Sequence, residues 1–248
     1  MDELREQCPW DKEQTIETLR AMTLEETYEL TGAIDEENWQ EIKGELGDIM
    51  LHLLFYARIG KEQQHFNLKD VLETVTEKMI RRHPHIYGDT LAADAAAVKR
   101  NWQKIKQQKE KASILGGVPK SLPSMIKAAR IQEKARQTGF DWPEGDTHSV
   151  YLKVQEELSE LQNAIQTGNQ QDIQEELGDV FFSLVNYARF LKVDADKALQ
   201  GCNQKFIKRF NLMEQMAKDQ GRSITDADLS FEQMDALWEA AKQKLKEN

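Results

Sequence analysis

Carboxylates carry the first chemical signal in this 248-residue chain. Glu25, Glu26 and Glu29 form Glu-Glu-x-x-Glu, and Glu45 and Asp48 form Glu-x-x-Asp further along. The pattern returns as Glu156, Glu157 and Glu160, then Glu176 and Asp179. Residues three apart share a helix face, so Glu157 points with Glu160 and Glu176 with Asp179. Two antiparallel neighbours would bring all four carboxylates to one place. Such charges repel unless a divalent cation holds them together. An all-oxygen donor set selects Mg²⁺, with Mn²⁺ as the alternative, over zinc or copper.

A di-iron centre and plain solvated surface compete with that assignment. A di-iron bundle needs paired Glu-x-x-His motifs; Glu62 and His65 give the one such spacing, in an expected loop, and the second half has no counterpart. A single Glu-rich helix face is most often just solvated. Against that stand the paired second motif, its place beside an apolar stripe, and its recurrence. Gly47 and Gly178 also sit inside the motif helices, where each costs about 1 kcal/mol, a cost that close approach of a backbone or ligand would justify.

The elements that must position these residues are helices. Tyr151, Val154, Leu158, Leu161 and Ile165 recur at spacings of three and four, as do Leu46, Ile49, Met50, Leu53, Leu54 and Ala57. Leu177, Val180, Phe181, Leu184, Val185 and Ala188 form a third stripe. This is the amphipathic helical period, and no strand alternation accompanies it. At an offset of 131, Glu25–Ile34 matches Glu156–Ile165 at six of ten positions, and Glu45–Arg58 matches Glu176–Arg189 at eight of fourteen. Lys78, Ile80 and Arg82 then meet Lys205, Ile207 and Arg209 at an offset of 127. The pattern predicts an all-α protein of tandem duplicated helical bundles. Residues 1–111 form the first domain and 125–248 the second. The Gly- and Pro-bearing stretch 112–124 reads as a linker or docking strap.

A basic helix follows each carboxylate set: Lys78, Arg81 and Arg82, then Lys205, Lys208 and Arg209. Alone these are ordinary helix-end charges; beside a metal site they read as a phosphate clamp. Trp238 lies in the last helix, as Trp102 does after the first half; a flat platform for a base and a helix-packing role fit it equally. The net charge of −10 disfavours binding to nucleic-acid polymers. No apolar run is long enough for a membrane span, and the N-terminus does not read as a signal peptide. Cys8 and Cys202 make no disulfide framework, so a cytoplasmic setting is expected.

Glu-Glu-x-x-Glu followed by Glu-x-x-Asp, CPWD near the start, RRHPHIYGD between the halves and GFDWP before the second set together resemble the MazG family. The resemblance covers essentially the whole chain, in the two-domain form. It implies the all-α NTP pyrophosphatase fold and Mg²⁺-dependent hydrolysis of nucleoside triphosphates to monophosphate and pyrophosphate. It implies metal ligands at Glu157, Glu160, Glu176 and Asp179, and by the same motif at Glu26, Glu29, Glu45 and Asp48. It also implies a homodimer, in keeping with the small core each half offers for its length.

On this expectation Lys205, Lys208 and Arg209 hold phosphate, and Glu156 or Glu175 takes a proton from the attacking water. The halves differ around their shared motifs. Lys153 and Asn186 stand where the first half has Met22 and Phe55. Both positions can hold phosphate or sugar only in the second half, which is therefore expected to do most of the work with broad base specificity. The competing readings are a nucleotide-binding scaffold without turnover and an enzyme narrowed to one dNTP.

Overall fold

The computed structural model describes residues 1–88, 94, 98, 101, 113–225 and 229–246. The described residues form eleven α-helices and one 3₁₀ turn, with no strand. The chain divides into two compact units, Met1–Glu110 and Lys111–Asn248. Trp102 and part of the expected linker lie outside the described residues. No helix among the described residues is long and apolar enough to cross a membrane.

The first unit is built on α3 (Ile16–Asp35) and α4 (Trp39–Glu62), which pack along their lengths. Short helices α1 (Asp2–Gln7) and α2 (Pro9–Glu13) precede them, and α5 (Leu68–Arg82) and α6 (Pro84–Tyr87) follow. Thr15 and Thr18 cap α3 reciprocally, Asn38 caps α4, and Asn67 with Asp70 caps α5. Each cap satisfies amide donors that the first helical turn leaves open. Glu62 at the end of α4 is committed to Arg5 and Arg58. Arg5 holds its carboxyl below the usual range, so the Glu62/His65 spacing has a structural explanation.

The second unit repeats the pair as α8 (Thr147–Thr167) and α9 (Gln170–Phe190), capped by Asp146 and Asn169. A short connection between long, mutually packed helices makes both pairs antiparallel hairpins. Gly168 takes the left-handed conformation at the α8–α9 turn (φ 75°), and Glu37, its equivalent at the offset of 131, does the same (φ 55°). The turn geometry thus survives where the glycine does not. Around this pair pack α7 (Ser124–Arg136) and α10 (Ala195–Asp219), and α11 (Phe231–Lys244) packs on α10. Met213, Ala217, Leu237 and Ala241 close the α10–α11 core. The 3₁₀ turn at Leu115–Gly117 lies on α7, where Lys134 Nζ donates to the Ile114 carbonyl at 2.9 Å.

The apolar stripes bury less than their period implies. Leu46 (53%), Met50 (56%), Phe181 (54%) and Ile165 (57%) stay exposed in the single chain. Among the described residues, nothing beyond their own helix comes within 4 Å of where a Cβ on Gly47 or Gly178 would stand, so no close approach among them accounts for these glycines.

Candidate metal and nucleotide site

The antiparallel hairpin gathers three of the four expected carboxylates in each unit, leaving Glu160 and Asp48 outside the closest sets. Glu157 comes from the middle of α8, and Glu176 and Asp179 from the facing turn of α9. Their carboxylate oxygens all lie within 4.8 Å of one another. Glu160 lies one turn further along α8. Burial first, then the neighbouring Glu157 and Glu176, push the Glu160 carboxyl above its ordinary range. In the first unit, oxygens of Glu26, Glu29 and Glu45 lie within 4.8 Å of one another. Burial and the neighbouring Glu26, then Asp48 and Glu41, push the Glu45 carboxyl up. Glu45 Oε2 is buried without a hydrogen-bond donor.

These sets fit a hard divalent cation. Oxygens crowd to within a few ångströms, Glu45 Oε2 lacks any donor, and burial together with like charges pushes the Glu45 and Glu160 carboxyls up. The sign of the stability effect follows. A carboxyl whose folded pKa is raised binds protons more tightly when folded, so it destabilises the fold increasingly as pH climbs from the unfolded value of about 4.3 through the folded one. At neutral pH in chelator, Glu45→Gln and Glu160→Gln are each expected to melt a few degrees higher than wild type. Millimolar Mg²⁺ should raise the wild-type melting temperature on the order of 5 °C and move the substituted unit much less. Thermal unfolding by circular dichroism, with and without Mg²⁺, reads both effects; a chelator melting point lowered by both substitutions would count against ion binding.

Lys153 lies one turn before Glu157 and spans two carboxylates, with Nζ 2.8 Å from Glu156 Oε1 and 2.9 Å from Glu157 Oε1. These bonds, Glu156 first, hold its ammonium above the usual lysine range. Glu175 is exposed and accepts from Gln171 at 3.1 Å.

Beside the second carboxylate set lies a cavity of about 380 Å³, to which Lys153, Glu157 and Asp179 all contribute. Ile131, Ala135, Val150, Phe182 and Leu115 make apolar wall, and Phe140 and Trp142 come from the loop before α8. Asn186 lines it too, as do Gln132 and Ser183. Arg189 clamps Asp141 in a fork, Nη1 to Oδ2 at 2.8 Å and Nη2 to Oδ1 at 2.6 Å, and so depresses the Asp141 pKa. Its Nε and Nη2 also donate to Asn186 Oδ1 at 3.0 and 2.6 Å. Motif spacing gave no sign of Gln132, Asp141 or Arg189. Only the GFDWP string touched this region, and nothing in it links Asp141 to an arginine 48 residues away.

In the first unit the equivalent positions hold packed apolar side chains among the described residues. Val150 and Asn186 correspond to Leu19 and Phe55, which with Ile59 form a core at 0–2% exposure. Met22, the counterpart of Lys153, packs against that core. Thr23 Oγ1 instead bonds the Tyr56 hydroxyl at 2.8 Å and approaches His52 Nδ1 at 3.3 Å.

The expected clamp and platform stand apart from the cavity. Lys205 and Lys208 are exposed on α10. Arg209 lies over the Trp238 ring at 5.8 Å, and that ring tilts against Phe206 at 5.0 Å. Trp238 packs on the α10–α11 core. None of the four lines the cavity.

Comparison with known proteins matches this geometry. The MazG nucleotide pyrophosphohydrolase domain matches twice, over residues 14–87 and 146–213, so both copies contain the hairpin and its carboxylates. The nucleoside triphosphate pyrophosphohydrolase/pyrophosphatase MazG of Thermotoga maritima is 42% identical, across 98% of this chain and 92% of its own length. The nucleoside triphosphate pyrophosphohydrolase of Escherichia coli K12 is 38% identical, across 96% and 91%. With two copies of the domain and relatives matched nearly end to end, the chain belongs to the MazG nucleotide pyrophosphohydrolase family.

Proposed function

We propose that this member of the family is a Mg²⁺-dependent nucleoside triphosphate pyrophosphohydrolase that works mainly in its second unit, with broad base tolerance. The observation that carries the reading is the cavity adjoining the second carboxylate set, where the first unit has Leu19 and Phe55 in a closed core. Glu157, Glu160, Glu176 and Asp179 would hold the cation, with Glu26, Glu29, Glu45 and Asp48 as the matching set in the first unit. When bound, the ion offsets phosphate charge and acidifies the attacking water.

The chain's own groups do the rest. Lys153 sits between the carboxylates and the cavity and can give a charge-assisted hydrogen bond to a phosphate oxygen. Glu156, joined to Glu157 through Lys153, is better placed to accept the water's proton than Glu175, whose bond runs back to Gln171. Lys205, Lys208 and Arg209, on the helix that packs against α9, offer positive charge to the leaving pyrophosphate. A homodimer belongs to this reading, supported by the exposed Leu46, Met50 and Phe181. So does a cytoplasmic setting, supported by two unbridged cysteines.

The direct test is pyrophosphate release from the eight common NTPs and dNTPs, with Mg²⁺ and with chelator. The expected result is monophosphate plus pyrophosphate from most of them, abolished by chelator. No release from any would favour a nucleotide-binding scaffold; release from one alone would make the enzyme a narrow one.

A further inference from the structure

Gln132, in the wall of the second unit's cavity, carries an acceptor that no described group meets. Gln132 on α7 is 6% exposed, and its Nε2 donates to the Phe182 carbonyl at 2.8 Å. That bond fixes the amide's orientation, because only the NH₂ end can meet a carbonyl. Oε1 is then the free end, and it is buried with no hydrogen-bond partner. Native proteins keep few such groups, and one in a cavity wall points to a donor brought from outside.

The surroundings narrow what that donor is attached to. Phe140, Trp142 and Phe182 supply aromatic surface for a flat ring. Asn186 gives its Oδ1 to Arg189, so its Nδ2 is left to donate. A volume of about 380 Å³ falls in the range of small-molecule sites, about 300–1,000 Å³. Lys153, Glu157 and Asp179 border the same cavity and tie it to the phosphate end.

We propose that this cavity is the nucleobase pocket and that Gln132 is a specificity residue, its Oε1 accepting from the exocyclic amine of adenine or cytosine. The proposal rests on the pyrophosphohydrolase reading above and sets a preference within its broad range. An amine projects beyond the ring and brings two hydrogens. Beside it, adenine and cytosine carry a ring nitrogen that accepts, the kind of group Asn186 Nδ2 can meet. The ring N–H of uracil or thymine lies between two carbonyl oxygens, and that of guanine beside one. In the register where adenine or cytosine places its amine, each would set an oxygen against Gln132 Oε1; guanine's own amine, offered there instead, would turn its ring N–H toward the Asn186 Nδ2 donor.

The test compares nucleotides that differ only in the amine: ATP with purine riboside triphosphate, and CTP with pyrimidin-2-one riboside triphosphate. For the full chain with Mg²⁺, kcat/KM is measured within each pair. Calorimetric affinity is measured for the α,β-methylene forms, which reads the pocket whether or not a bond is broken. A failure of hydrolysis therefore stays distinct from a failure of this proposal. The amine-bearing nucleotide is expected to win by about tenfold in each pair. Gln132→Leu should bring both affinity ratios close to one by weakening the amine-bearing partner. The wild-type ratios stand without that variant should it fold poorly. Equal affinities in either wild-type pair, or ratios unchanged in a folded Gln132→Leu protein, would overturn the assignment.

Discussion

Glu157→Gln and Asp179→Asn are each expected to lower kcat/KM for pyrophosphate release by about a hundredfold or more while leaving far-ultraviolet circular dichroism unchanged. Glu157 is the most committed of the carboxylates. It is 7% exposed, belongs to the set of oxygens within 4.8 Å, accepts from Lys153, and borders the cavity. Asp179 shares the oxygen set and the cavity wall from the facing helix. Each would supply an anionic oxygen that no neighbour can replace, and both amides keep the shape of what they replace. Retained activity in both variants would remove the carboxylates from the mechanism. Loss of helicity in both would make their role structural.

The second large effect concerns the two copies. Glu160→Ala is expected to cost about tenfold or more in kcat/KM, and Glu29→Ala less than about twofold. Lys153→Met should also lose about tenfold, the scale of one charge-assisted hydrogen bond. Both units gather carboxylates, so ion binding alone does not separate them. What separates them is the space beside the ions: Asn186 and Val150 border a cavity, whereas Phe55 and Leu19 pack into a core. A triphosphate held by the first set would meet Leu19 and Phe55 at the positions where the second unit opens. Steady-state kinetics on the three variants decides the matter. Equal damage from Glu29→Ala and Glu160→Ala, with oligomeric state unchanged, would mean that the copies act as equals.

How much of the molecule is legible in the sequence depends on range. Helices α4, α8 and α9 announce themselves through local period and α3 through its match to α8, and Glu157 with Glu160, or Glu176 with Asp179, through a spacing of three. The duplication states each pattern twice. The cavity stays hidden because its parts come from separate places: Gln132 from α7, outside the matched domain segments, and Phe140 and Trp142 from a loop with no period. The Asp141–Arg189 fork crosses 48 residues and leaves no local trace. The stripes mislead in one respect. Period says which residues share a face but not what covers it, and Leu46, Met50 and Phe181 remain uncovered within the chain. Lys205 and Arg209 share a face as their spacing requires, but a shared face does not bring them to the cavity.

The packed Leu19–Phe55–Ile59 cluster has a consequence for how the molecule comes apart. An internal hollow forfeits contacts that a filled core keeps, so hollow folds open more readily. The copy with Asn186 carries that handicap and the copy with Phe55 does not. Cooperative melting should then proceed in two stages, the second copy first. Added nucleotide would shift the earlier stage and leave the later one in place. On the assignment proposed above, duplication leaves one copy a hole for chemistry while the other trades it for endurance.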